Sequence, residues 1–169
     1  MMLNNDTRLD SKCIEELKRG IEKNARYGAC ASKILLEYED NLIDAAGIVV
    51  CPDGLSIGRG RLEKGNYYDE EAEVFFASDC ACLYRKEMLE DIGLYDEDFF
   101  AYADETDMGW RAQLAGWKCA YNPEAIVYHF HSASSGTYSP FKAYLVERNR
   151  IWVAVKSFPL SLILYGQFY

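Results

Sequence analysis

With 169 residues, 50% of them apolar and 14% aromatic, the chain carries enough apolar material for one packed domain and too little for two large ones. A formal charge of −9 argues against a general nucleic-acid binder, which needs clustered Lys and Arg, so a phosphate-bearing substrate would require a metal ion or a few well-placed basic side chains. Cys13, Cys30, Cys51, Cys80, Cys82 and Cys119 are scattered through a chain without a secretory signal and read as a reduced, cytosolic set, and no run reaches the ~18 apolar residues of a membrane-spanning helix.

In chain order, three apolar residues lead into a polar turn, after which Cys13, Ile14, Leu17 and Ile21 recur at helical spacing with Asp10 or Ser11 as the cap. AGIVVCPDG, from Ala46, reads as a short β run closed by a Pro-Asp-Gly turn, and SIGRGRLEKGNYYDEEAE as an exposed, mobile loop. VFFASDCACLYR is expected to be a buried strand, KEMLEDIG a short helix ended by Gly93, and the acidic, aromatic stretch after it passes into a helix ended by Gly116. CAYNPEAIVYHFH reads as two short strands broken at Asn122-Pro123, SASSGTYSP as a flexible loop, and residues 141–158 as a helix of mixed apolar and basic character. Helices alternating with short strands fit an α/β or α+β domain, read as α/β with a mixed sheet that looks incomplete because no βαβ unit precedes Asn4.

Three constellations carry chemistry. Asp104-Glu105-Thr106-Asp107 opens a predicted helix, where carboxylates oppose the dipole by about 0.3–1 kcal/mol each. The aromatic approach, with Tyr95, Phe99, Phe100 and Tyr102, offers a second role, since a carboxylate against aromatic walls is desolvated and becomes a general base near neutral pH. His129 and His131, two apart at the end of IVYHFH, fall on one face of a strand and suit a metal or a phosphate. Asn4-Asn5-Asp6-Thr7 is either an Asx turn or a set of hard oxygen ligands for Mg²⁺ or Mn²⁺. Arg148 and Arg150 do not share a helix face, so at most one is expected to reach a site.

Taken together these segments resemble family 2 glycosyltransferases of the GT-A fold, especially rhamnosyltransferase-like enzymes of bacterial surface polysaccharide synthesis. LNNDTRLD is similar to that family's metal-motif segment, and DAAGIVVCPDG, the block from Ser78 to Gly136 and FKAYLVERNRIWVAVKSFP to successive later blocks, so the similarity spans nearly the whole chain. The resemblance implies a partial Rossmann-like GT-A catalytic domain over residues 1–157, lacking the N-terminal nucleotide-binding portion. It also implies an apolar segment over 158–169 that begins a membrane-associated region. On the same basis Asp6, Asn4 and His129 are the metal set for Mg²⁺ or Mn²⁺, Glu105 with its neighbour Asp104 the catalytic carboxylates, and Arg148, Arg150 and His131 the diphosphate contacts. Asp79, Asp107 and Trp110, with Ser78, line the acceptor side.

The implied reaction is transfer of a sugar, rhamnose by the resemblance, from a nucleoside-diphosphate sugar to a saccharide or lipid-linked saccharide, with inversion. Expected surroundings are the cytoplasm at the inner face of a membrane, with peripheral membrane contact and a homo-oligomer, and no nucleic-acid partner. Two other readings stay open at this level: a non-catalytic remnant or interaction domain, and a small metallohydrolase built on the histidines and the acid cluster.

Overall fold

A computed structural model of the chain describes residues 1–130 and 139–166, with side chains described through Ile163. The chain opens with two short strands, β1 (Met2–Leu3) and β2 (Thr7–Leu9), followed by helix α1 (Cys13–Glu22) and the long strand β3 (Tyr27–Leu36). Short strands β4 (Ile43–Ala45), β5 (Ile48–Val50), β6 (Ser56–Gly58), β7 (Ala72–Val74) and β8 (Ala81–Tyr84) come next. Helices α2 (Lys86–Ile92) and α3 (Asp104–Leu114), strand β9 (Lys118–His129) and helices α4 (Pro140–Ser157) and α5 (Leu160–Gly166) complete it.

Among the described residues seven strands form one mixed sheet in the order β1-β8-β3-β9-β2, with β4 added to β3 and β7 to β9, while β5 and β6 make a separate hairpin. The α/β class and the mixed, helix-flanked sheet expected from the sequence are therefore present. The central pair β3 and β9 is parallel and every other pairing is antiparallel. β3 is buried along nearly its whole length, which is why YGACASKILL lacks the alternation of a half-exposed strand. On one face Cys13, Leu17 and Ile21 of α1 pack on Cys30, Ile34 and Val127. On the other, Met88 of α2 and Met108 and Ala112 of α3 pack on Ala29, Ala31, Cys119 and Tyr121. Each fully buried Leu or Met contributes about 1.5–3 kcal/mol.

Several local expectations change. Ile14 is 57% exposed, so the buried stripe of α1 is Cys13, Leu17, Gly20 and Ile21. Asp10 does shape the helix entry, through its side chain to the Lys12 amide (3.0 Å) and its carbonyl to the Cys13 amide (3.1 Å), with Lys12 itself at the cap position. The polar segment after Ile57 is ordered: it holds part of β6, a 3-10 turn at Gly65–Tyr68 and the start of β7, tied down by Lys33–Asp69 and by Tyr121 donating to the Tyr68 carbonyl. VFFASDCACLYR is two strand ends rather than one strand, because the chain leaves β7 at Val74 and re-enters the sheet only at Ala81.

β9 is a single strand, not two. Ser32 pairs with Asn122, but the next residue of β3, Lys33, pairs with Ile126, so residues 123–125 bulge out of the ladder. Pro123 has no N–H to donate and is tolerated there without ending the strand.

Gly93 (φ +81°) and Gly116 (φ +85°) end α2 and α3 as the sequence indicates. Ser139 caps α4 by accepting from the Lys142 amide at 3.1 Å, with Pro140 in the first turn. Phe158 folds back onto Phe99 and Val153, with Trp110, Leu162 and Ile163 against the same cluster. Among the described residues no helix is long and apolar enough to cross a membrane. Residues 131–138, which hold His131 and the loop up to Tyr138, lie outside the described residues.

Candidate active site

Among the described residues, left-handed non-glycine backbone gathers at the approach to α3. Phe100, Tyr102 and Ala103 all have positive φ (64°, 68° and 61°), a region that L residues enter only when their surroundings impose it. α4 supplies that imposition. The Asn149 side chain, fully buried, donates to the carbonyls of Phe99 (3.0 Å), Ala101 (2.8 Å) and Tyr102 (2.7 Å), and the Arg148 guanidinium donates to the carbonyls of Asp98 and Phe99. The left-handed Ala103 then delivers Asp104 and Glu105 into the first turn of α3.

There they meet Asp79, from the turn before β8. One carboxylate oxygen from each of Asp79, Asp104 and Glu105 lies within 4.8 Å of the other two. Burial, and then the charges of Asp79 and Asp104, push Glu105 up to about 8. Asp79 is raised by burial as well, although Tyr84 and Tyr95 hydroxyls directed at it oppose the rise. Two recesses flank the trio. Asp79 and Asp104, with Asn4, Tyr95 and Phe100, line an open cleft of about 590 Å³. Glu105 instead faces a polar recess of about 110 Å³, whose other walls include Asp44, Ser56, Arg61 and Ser78.

The second group stands at the carboxyl ends of the parallel pair, where α/β folds commonly bind ligands. His129, the last residue of β9 and opposite Leu36 of β3, has Nε2 3.3 Å from Asp6 Oδ1 and Nδ1 2.6 Å from Asp44 Oδ2. Arg61 donates to the other Asp44 oxygen. Burial opposes a charge on His129, but Asp44 and then Asp6 outweigh it and raise its proton affinity. Two ligand atoms held by one ion at about 2.1 Å each sit about 3 Å apart when adjacent, so the Asp6–His129 pair, a hard oxygen and an imidazole nitrogen, fits a divalent cation. Cys80 is close to Asp44 and His129, but burial, followed by the Asp44 and Asp6 charges, pushes its thiol far up and keeps it protonated.

The structure thus brings Asp6 to His129, and Asp104 and Glu105 to Asp79. Ser78 lines the recess that Glu105 faces, and among the described residues Asp107, Trp110, Arg148 and Arg150 are engaged elsewhere. Asn4 lines the open cleft, and its backbone bonds to Cys80 and Thr7. Asp107 is 1% exposed at its side chain and turns inward between Arg111 (2.9 Å) and Lys156 (2.7 Å). Trp110 packs edge-on against Phe75 and Phe158. Arg148 is committed to the strained turn, and Arg150 to Asp53 and Glu147 beside a different recess. Sequence reasoning missed Asp44 and Arg61. The available signal was an acid inside the apolar run LIDAAGIVV, since a charge buried in a strand needs a partner.

Residues 66–154 match the family described as glycosyltransferase like family 2. Two curated relatives, both N-acetylglucosaminyl-diphospho-decaprenol L-rhamnosyltransferases of Mycobacterium tuberculosis (strains CDC 1551 / Oshkosh and ATCC 25618 / H37Rv), are each 35% identical over 66 residues. The match covers 39% of this chain and 22% of each relative, so the chain spans less than a quarter of their length. With more than half of the chain inside the matched segment, on a helix-flanked mixed sheet, the protein belongs to glycosyltransferase family 2 and is rhamnosyltransferase-like.

Proposed function

We propose that the chain carries the catalytic face of an enzyme that moves a sugar, rhamnose by the likeness to the relatives, from a nucleoside diphosphate onto a saccharide or lipid-linked saccharide with inversion. The observation that carries this reading is the pair of neighbouring groups: a half-buried carboxylate with proton affinity near neutrality, and a carboxylate–imidazole pair fit for a divalent cation. They share one recess, since Asp44 of the second group and Glu105 of the first form its walls.

Glu105 takes the proton from the acceptor hydroxyl as that oxygen attacks the anomeric carbon and the bond to the diphosphate breaks, a role that contributes about 10²–10⁴-fold to rate. Asp79 and Asp104 keep that carboxyl from ionising too readily, so that it binds the transferred proton. Asp6 and His129 would hold Mg²⁺ or Mn²⁺, which when bound offsets negative charge on the departing diphosphate. A lipid-linked acceptor brings the enzyme to a membrane surface, and the exposed apolar residues of α4, Phe141, Tyr144, Ile151 and Val155, support peripheral contact there.

The test is transfer from labelled nucleoside-diphosphate rhamnose to an N-acetylglucosaminyl-diphospho-lipid, with and without Mn²⁺ and with the product's anomeric configuration read by NMR. An inverted glycoside made by wild type and lost in Glu105→Gln is expected. Product of retained configuration would refute the single displacement.

A further inference from the structure

We infer that Asp44 is the positioning residue of the Asp6–His129 pair, fixing the imidazole through Nδ1 so that Nε2 is presented to Asp6. The inference rests on the reading of Asp6 and His129 as cation ligands and adds to it the residue that makes His129 a competent one.

Geometry carries it from both sides of the ring. Asp44 Oδ2 stands 2.6 Å from Nδ1, a short charge-assisted contact, and Asp6 Oδ1 stands 3.3 Å from Nε2, on the opposite nitrogen. An imidazole flanked in this way has its rotation about the Cβ–Cγ bond fixed, and with the Nδ1 proton given to Asp44 the Nε2 lone pair is the one left for a ligand. Asp44 is itself held. It lies in β4, whose neighbours Ile43 and Ala45 pair with Leu35 and Ile34 of β3, and its second oxygen accepts from Arg61. At 6% exposure, a carboxylate in this position costs stability unless each oxygen is satisfied, and here the two oxygens face a guanidinium and an imidazole. His129 is also buried, at 9% exposure, so solvent does little to orient the ring.

The outer partner of a histidine ligand tunes affinity by about 10–100-fold. The test is Mn²⁺ binding, titrated calorimetrically and by electron paramagnetic resonance, on wild type, Asp44→Asn, Asp44→Glu and His129→Ala, each first shown to be folded by its thermal melt. Asn keeps the shape but removes the charge that holds the Nδ1 proton. Support is a ~10-fold or greater loss of Mn²⁺ affinity in Asp44→Asn, partial recovery in Asp44→Glu and the largest loss in His129→Ala. Wild-type affinity in Asp44→Asn, with binding lost in His129→Ala, overturns the assignment of Asp44 and leaves the cation site standing. Undiminished binding in His129→Ala, or none in wild type, overturns the cation reading and this inference with it. If Asp44→Asn does not fold, long-range ¹H–¹⁵N spectra of wild-type His129 with Mg²⁺ decide the matter. A proton retained on Nδ1 while Nε2 shifts supports the inference, and a proton on Nε2 overturns it.

Discussion

Replacing Glu105 by Gln should push activity and stability in opposite directions. With its carboxyl raised to about 8 by burial and by Asp79 and Asp104, only about one Glu105 in eleven is ionised at pH 7, against about nine in ten at pH 9. Wild-type turnover limited by this base should therefore climb about tenfold between those values. Glu105→Gln cannot accept the proton, so its turnover should fall by about 10²–10⁴-fold and lose that dependence on pH. Stability carries the other sign. A carboxyl that binds its proton more tightly folded than unfolded contributes stability that is whole below the ordinary carboxylate range and lost as pH rises through about 8. The melting temperature of Glu105→Gln should accordingly match wild type near pH 4 and exceed it by a growing margin up to about pH 8. Paired pH–rate profiles and pH-dependent melts read both effects. Near-normal turnover in Glu105→Gln, with activity abolished in Asp104→Asn, would refute the assignment and move the base to the carboxylate that lines the larger cleft.

Asn149→Ala should remove three hydrogen bonds to the strained turn and cost about 2–4 kcal/mol in denaturant unfolding, with a further drop in turnover because the turn aims Asp104 and Glu105. Asp107→Asn should cost about 2–3 kcal/mol by thermal or denaturant melting, well above the 0.3–1 kcal/mol of a helix-dipole contact, because its buried carboxylate joins Arg111 and Lys156. It should leave Mn²⁺ binding unchanged, as checked by calorimetry. Asp6→Ala should weaken Mn²⁺-dependent binding of a nucleoside diphosphate in the same assay while barely moving the melt, since Asp6 is a partly exposed residue just outside β2.

What could be read from the sequence follows the range over which each signal acts. Helix ends at Gly93 and Gly116 were legible because a positive φ is a property of one residue. The acidic cluster at the start of α3 was legible because Asp104 and Glu105 are neighbours in sequence. Their third member was assigned to the acceptor side, since nothing local says that the turn at Asp79 packs beside α3. Asp44 lies 85 residues from His129, and the pairing of β4 on one side of β3 and of β9 on the other brings them together. The partners of the basic residues of α4 are distant in sequence in the same way. The resemblance sets Arg148 and Arg150 near the diphosphate, and in the structure carbonyls of a strained turn and Asp53 take up those guanidinium groups. The relation of Asn149 to that turn is equally invisible in ERNRIW, where the arginines draw the eye.

The bulge in β9 has a consequence for how loosely this strand tolerates a change of length. Ahead of it the even-numbered residues Ala120 and Asn122 face α1, as the bond from Asn122 to the Glu16 carbonyl shows. Beyond it the odd-numbered Val127 faces α1, and His129 is two residues further on. The three residues of the bulge exchange odd for even. Deleting one of them, or adding one, with the strand beyond slipping by one residue along β3, would turn His129 to the opposite side of the sheet, away from both Asp6 and Asp44, and would shift every pairing from Lys33–Ile126 to Leu36–His129. A slip of one residue beyond 123–125 is thus a change of address for the histidine, whereas a slip of two alters only reach.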